Sequence, residues 1–125
     1  DVVTAETAAI VQYMMRQVVC RGTATRAQIG IENISVAGKT GTGLKAQPNG
    51  GYTNAQGQRV YYASFAGFFP AEDPQVTVVV SIDEPPAGDI NRFGGTAAAP
   101  VFAELAPTIM QELGIQPPAN AVPCE

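Results

Sequence analysis

The stretch Val36 to Gly43, VAGKTGTG, sets a lysine and two threonines among three glycines. Groups of these types hold anions, and the kind of anion decides the fold. A Walker-type phosphate loop needs GxxxxGK[ST], yet five places before Gly38 stands Asn33. In that class the lysine also opens a helix, whereas here ISVA leads into Lys39 as an extended run and no helical period follows before Arg59. The segment reads as a strand, and one suited to an extended peptide that ends in a free carboxylate. At a sheet edge it can take such a peptide as an added strand. Lys39 supplies a positive field, Thr40 and Thr42 supply hydroxyl donors, and Gly41 lets a ligand backbone approach closely. Strict alternation places Lys39 and Gly41 on one side and Thr40 and Thr42 on the other, so their convergence depends on edge geometry and twist.

Two further strands follow, Arg59 to Phe69 (RVYYASFAGFF) and Gln75 to Asp83 (QVTVVVSID). The short turn-forming PAEDP between them predicts an antiparallel hairpin. In the last strand Val76, Val78, Val80 and Ile82 alternate with Thr77, Val79, Ser81 and Asp83, which predicts a sheet covered at least partly on both faces. The long polar GLKAQPNGGYTNAQGQ after the first strand reads as a surface loop beside a site.

Helices bracket the strands. From about Thr4 to Val19 the residues Ile10, Val11, Met14, Met15, Val18 and Val19 share one face, with Thr4 as N-cap, Glu6 in the first turn and Gly22 as the stop. Core packing is the expected role of both methionines. From Arg21 to Asn33 the pattern is weak, with at most a short strand near Ile29 and Ile31. A second helix is expected from about Thr96 to Leu113, its stripe formed by Val101, Phe102, Leu105, Ile109 and Leu113, with Pro100 tolerated in the first turn and Gly114 as the stop. The order helix, three strands, helix has no βαβ alternation, so the fold class is α+β, an antiparallel sheet flanked by helices.

Composition narrows the chemistry. Of 125 residues, 46% are hydrophobic and 14% charged, as in a core-forming chain. The net charge of −4, without a basic cluster, argues against a nucleic-acid partner or an anionic membrane surface. The chain has no histidine, which removes His-assisted triads and the usual His-rich metal sites, so no metal and no cofactor is expected. Cys20 and Cys124 form neither a redox pair motif nor a zinc knuckle. They are compatible with a disulfide tying the tail to the first helix in an oxidising compartment, or with two buried thiols. Tyr61, Tyr62 and Phe65 fit a cleft lining but suit the core better; Asp89 and Arg92 either reach a ligand or face water.

The motif VAGKTGT, preceded by TAETAAIVQYMMRQVV and GTATRA and followed by YYASFAGFFPAEDPQVTVVVSIDEP and GGTAAAPVFAELA, resembles the C-terminal part of the transpeptidase domain of class B penicillin-binding proteins, from about Thr4 to Gly114. The resemblance implies a β-lactamase/transpeptidase-like fold. It also implies a serine acyltransferase that crosslinks peptidoglycan stem peptides, binds their D-Ala-D-Ala end and is acylated by β-lactams. Lys39 would set the electrostatics of the site and attract the terminal carboxylate, which Thr40 and Thr42 would hydrogen-bond. The N–H of Thr42 would be one of two oxyanion-hole donors. The implied setting is the outer side of the bacterial cell membrane, in a parent anchored by an N-terminal segment and associated with cell-wall synthesis proteins. A serine β-lactamase or β-lactam sensor shares the fold and the KTG strand, but YYASFAGFFP and GGTAAAPVF look more like the transpeptidase; a noncatalytic peptide-binding module is the rival of another class.

The chain departs from the family pattern where the nucleophile should be. Three places after Ser35, Ser64 and Ser81 stand Gly38, Gly67 and Glu84, so there is no SxxK. Two places after them stand Ala37, Ala66 and Asp83, so there is no SxN. Residues 1–125 are therefore expected to be a C-terminal fragment whose upstream part carries both motifs. Such a fragment should expose a sheet edge and an apolar face.

Overall fold

The computed structural model describes residues 2–124. Helix α1 spans Ala5–Arg21, two residues longer at its end than the periodicity predicts. The Thr4 hydroxyl accepts from the Thr7 N–H at 3.2 Å, and Glu6 lies in the first turn, where the helix dipole favours a carboxylate. Gly22 stops the helix, its N–H donating to the Val18 carbonyl. The expected apolar face is only partly used. Val19 is buried and Met15 and Val18 are half-buried, but Ile10, Val11 and Met14 are exposed, Met14 to 59%. Core packing therefore fails for Met14, because only the last turns of α1 reach the core that Val19 shares with Ala24 and Ala27. Beyond the helix comes one 3-10 turn, Thr25–Ala27, and the strand considered near Ile29 and Ile31 does not form; both side chains pack against the core from an irregular segment.

The three expected strands are present as β1 (Ala37–Leu44), β2 (Tyr61–Phe69) and β3 (Val76–Asp83), in an antiparallel sheet of order β1-β2-β3 with the β2–β3 hairpin in place. The register aligns Thr40 with Phe65 and Phe65 with Val80. Gly38, Thr40, Thr42, Phe65 and Val80 therefore share one face. Onto that face packs helix α2, Ala99–Leu113. The Phe102 ring meets Phe65 edge-on at 4.8 Å and Phe69 at 5.6 Å, contacts worth about 0.5–1.5 kcal/mol each beyond area burial. Gly38 makes room for this ring cluster, since a Cβ there would fall 2.3 Å from the Phe65 ring.

Coverage of both faces does not hold for β3. Thr77, Val79, Ser81 and Asp83 are all exposed, Val79 to 65%, because no element among the described residues lies over them. The stripe of α2 is also rotated from its expected position. Its buried residues are Ala99, Phe102, Ala106 and Met110, while Leu105 and Leu113 face outward. The two alanines allow close approach of the helix backbone and so decide which side turns inward. The helix begins later than Thr96, since Gly94–Ala98 form a π-helical turn that leads into it; Pro100 lies in the first turn and Gly114 ends it in the left-handed region at φ 65°.

The polar β1–β2 connection is a surface loop as expected, and it folds back on itself. Val60 N–H donates to the Tyr52 carbonyl at 2.9 Å, and Asn54 Oδ1 accepts from the N–H groups of Gln56 and Gln58, each at 3.0 Å. Cys20 and Cys124 are joined in a disulfide. The tail is held there by Arg16 as well, whose Nη2 donates to the Val122 and Pro123 carbonyls, both at 2.6 Å. Arg16 also pairs with Glu72 at 3.4 Å, and Glu72 in turn accepts from the Ser35 hydroxyl just ahead of β1.

Candidate functional site

Which backbone groups of β1 are free follows from the ladder. Lys45 N–H donates to the Val60 carbonyl at 2.9 Å, and on the other side Glu84 N–H donates to the Tyr61 carbonyl at 3.2 Å. Stepping back by twos along the β1–β2 register, Gly43, Gly41 and Lys39 bond to β2. The N–H and C=O groups of Thr42 and Thr40 must then point away from the sheet, along the outer edge of β1. No further strand pairs with that edge among the described residues.

Alternation separates Lys39 from the threonines, and the edge reunites them. The Lys39 side chain curls around the strand so that its ammonium donates to the Thr40 carbonyl at 3.0 Å and to the Thr40 hydroxyl oxygen at 3.1 Å. The first of these contacts confirms that the Thr40 carbonyl faces outward. An ammonium has three donors, so one remains for a ligand. Thr40 Oγ1 is also 2.9 Å from Thr23 Oγ1. Thr42 Oγ1 accepts from the Gly94 N–H at 3.0 Å, and among the described residues its own O–H donates to nothing. At Gly41 a side chain would crowd the paired strand, since a Cβ there would fall 2.5 Å from the Ser64 hydroxyl.

Lys39, Thr40, Gly41 and Thr42 thus stand together on one accessible edge, Lys39 and Thr42 exposed and Thr40 and Gly41 half-buried. Chemically the edge presents an ammonium, a free hydroxyl proton and an outward main-chain N–H, a set that suits a carboxylate beside a developing oxyanion. The partly open hollow lined by Val19, Ile29, Ile31, Val36 and Pro123 lies under the tail and includes none of these groups. The β1 edge is instead one open wall.

Sequence reasoning missed Thr23, Gly94 and Thr96. The doubled glycine in FGGT was the available signal, because both glycines pack where a side chain cannot. A Cβ on Gly94 would lie 2.5 Å from the Gly41 carbonyl oxygen, and one on Gly95 would lie 2.1 Å from that of Thr23. Of the undecided residues, Phe65 is core and Tyr62 is exposed. Tyr61 meets Phe93 edge-on at 5.4 Å, and the Arg92 guanidinium lies 5.1 Å from the Tyr61 ring centre. Asp89 is exposed to solvent, and its carboxylate caps the short turn Ile90–Arg92 by accepting from the Asn91 N–H at 2.8 Å.

The chain is similar in sequence and fold to known proteins. The family described as the penicillin binding protein transpeptidase domain matches residues 1–106. Stage V sporulation protein D of Bacillus subtilis is 37% identical over 122 residues, which is 98% of this chain and 18% of that protein. Peptidoglycan D,D-transpeptidase FtsI of Escherichia coli K12 is 35% identical over 109 residues, 87% of this chain and 17% of that protein. The chain therefore spans less than a fifth of the length of these relatives. Among solved structures, penicillin binding protein 3 of Mycobacterium tuberculosis in complex with ampicillin superposes with a TM-score of 0.72 at 31% identity, covering 98% of this chain and 27% of that one. The transpeptidase domain of penicillin-binding protein 3 from Burkholderia pseudomallei gives 0.70 at 35% identity, covering 90% and 31%.

Proposed function

The chain belongs to the penicillin-binding protein transpeptidase family, and we propose on that premise that it is the C-terminal part of a peptidoglycan D,D-transpeptidase, supplying the wall that grips the acid end of a D-alanyl stem peptide. The observation that carries this reading is the convergence of the Lys39 ammonium, the Thr40 and Thr42 hydroxyls and the outward Thr42 N–H on one free strand edge. Lys39 draws in the carboxylate, and the two hydroxyls hold it. The extended donor peptide then lies along β1 as an added strand, with Gly41 beneath it.

In this reading the Thr42 N–H is one oxyanion-hole donor. A preorganised donor of this kind stabilises the tetrahedral transition state by about 3 kcal/mol, because it is already oriented when charge develops on the carbonyl oxygen. The nucleophile, its lysine base and the SxN element lie in a preceding segment of the same protein. That segment also covers the open edge of β3 and the apolar side of α1. Acylation by β-lactams follows from the same geometry, since the drug's carboxylate and strained carbonyl take the places of the peptide's. The disulfide agrees with an extracytoplasmic setting on the bacterial membrane. No helix among the described residues is long and apolar enough to cross a membrane, so anchoring in this reading belongs to the rest of the protein.

The test is labelling of the longer protein with a fluorescent penicillin. A stoichiometric adduct on a serine of an SxxK motif is expected. Absence of any covalent adduct on folded protein would reject the enzyme and favour a noncatalytic carboxylate-binding module.

A further inference from the structure

A threonine hydroxyl can accept on two lone pairs but has only one proton to give, so what occupies its acceptor side decides where the proton points. At Thr42 that side is taken by the Gly94 N–H at 3.0 Å. A main-chain N–H cannot accept, so the Thr42 proton points away from Gly94, and among the described residues no acceptor takes it. Thr40 is not set in this way. Its oxygen receives the Lys39 ammonium and shares a contact with Thr23 in which either hydroxyl can donate.

The Gly94 amide is itself held in place by two devices. The first is the fit of Gly94 against β1 and β2, where a Cβ would lie 2.4 Å from the Ser64 carbonyl oxygen and 2.5 Å from that of Gly41. These are backbone atoms that cannot give way. The second is Thr96, whose hydroxyl oxygen lies 3.2 Å from the Phe93 N–H and 3.1 Å from the Ile90 carbonyl, bonding the two ends of the turn immediately before Gly94. The Gly94 φ is not in the left-handed region, so its role is one of space, not of backbone conformation.

We infer that Gly94 and Thr96 are positioning residues that preset the Thr42 hydroxyl as a hydrogen-bond donor to the substrate carboxylate. The inference rests on the transpeptidase reading above and assigns it a part that the KTGT strand cannot perform alone. With the turn displaced, Thr42 Oγ1 is free to rotate and its proton is no longer committed to the ligand. A charge-assisted hydrogen bond loses its preorganisation, and acylation by a carboxylate-bearing β-lactam should fall about tenfold.

The experiment measures second-order acylation rates of the longer protein with benzylpenicillin and with its methyl ester, which has no carboxylate charge. Rates are taken per mole of protein that labels at saturation, so unfolded protein does not enter. Thr96→Val and Gly94→Ala should each slow benzylpenicillin about tenfold and change the ester less than about twofold, and Thr96→Ser should restore the wild-type rate. In a Thr42→Val background Thr96→Val should have no further effect, because the two act through one hydroxyl. Equal slowing of acid and ester, or an effect that adds to that of Thr42→Val, would overturn the inference. Absence of labelling in the wild type would overturn the transpeptidase reading itself, so the two failures are told apart.

Discussion

Lys39 reaches its partners by wrapping around a strand edge, which makes its contribution electrostatic and exposed. Replacement by methionine keeps the length of the side chain and removes the charge. Lys39→Met should slow acylation of the longer protein by carboxylate β-lactams about 10- to 100-fold and flatten its dependence on salt, both read from stopped-flow rates at several ionic strengths. Gly38 serves the core beneath instead. Gly38→Ala forces a methyl group against the Phe65 ring and should cost about 1–3 kcal/mol in a urea melt. Gly43→Ala, on the same strand with open space around it, should stay within about 0.5 kcal/mol. Lys45, paired with Asp83 and Glu84 across the sheet end, has its pKa raised above 10.5 by those hydrogen bonds. Its stabilising contribution is therefore present below pH 10.5 and lost as pH rises through the raised value, and NMR titration of its side chain reads the direction.

Helix α2 shows how far periodicity goes. Its length and both ends were legible within a turn, since Gly114 and Pro100 are position-specific, but the stripe was legible only in part: Val101, Phe102 and Ile109 meet the core, whereas Leu105 and Leu113 face outward. Ala99 and Ala106 turn inward because their small size lets the helix settle close enough for Phe102 to fill the space between Phe65 and Phe69. Size complementarity across a sheet is not readable from one strand of sequence at a time. Phe102→Ala should then cost about 3–5 kcal/mol, and Leu105→Ala within about 0.5 kcal/mol, by the same melts. Strand β1 was more legible, because the failure of the phosphate-loop spacing and the extended ISVA run left few alternatives. The outward sense of the Thr42 amide was not legible. It depends on which residues of β1 pair with β2, and that register is set by the β1–β2 loop, whose fold-back closes at Tyr52 and Val60.

The molecule as a whole is fastened at one end and open at two sides. At the fastened end the Cys20–Cys124 disulfide closes a separation of 104 residues, and Arg16 binds the same tail through two carbonyls. Reduction should lower stability by about 2–5 kcal/mol, seen as a drop in melting temperature that Cys20→Ala with Cys124→Ala reproduces. At the open sides lie the β1 edge, which we assign to substrate, and the β3 edge with Val79, which we assign to the preceding segment of the same protein. The carboxylate-gripping β1 edge is the central claim, and a crystal structure of the longer protein acylated by a penicillin tests it most directly. The account predicts the drug's carboxylate within about 3.2 Å of the Thr40 and Thr42 hydroxyls and its carbonyl oxygen against the Thr42 N–H. A carboxylate held elsewhere, with Lys39 to Thr42 untouched, would contradict it.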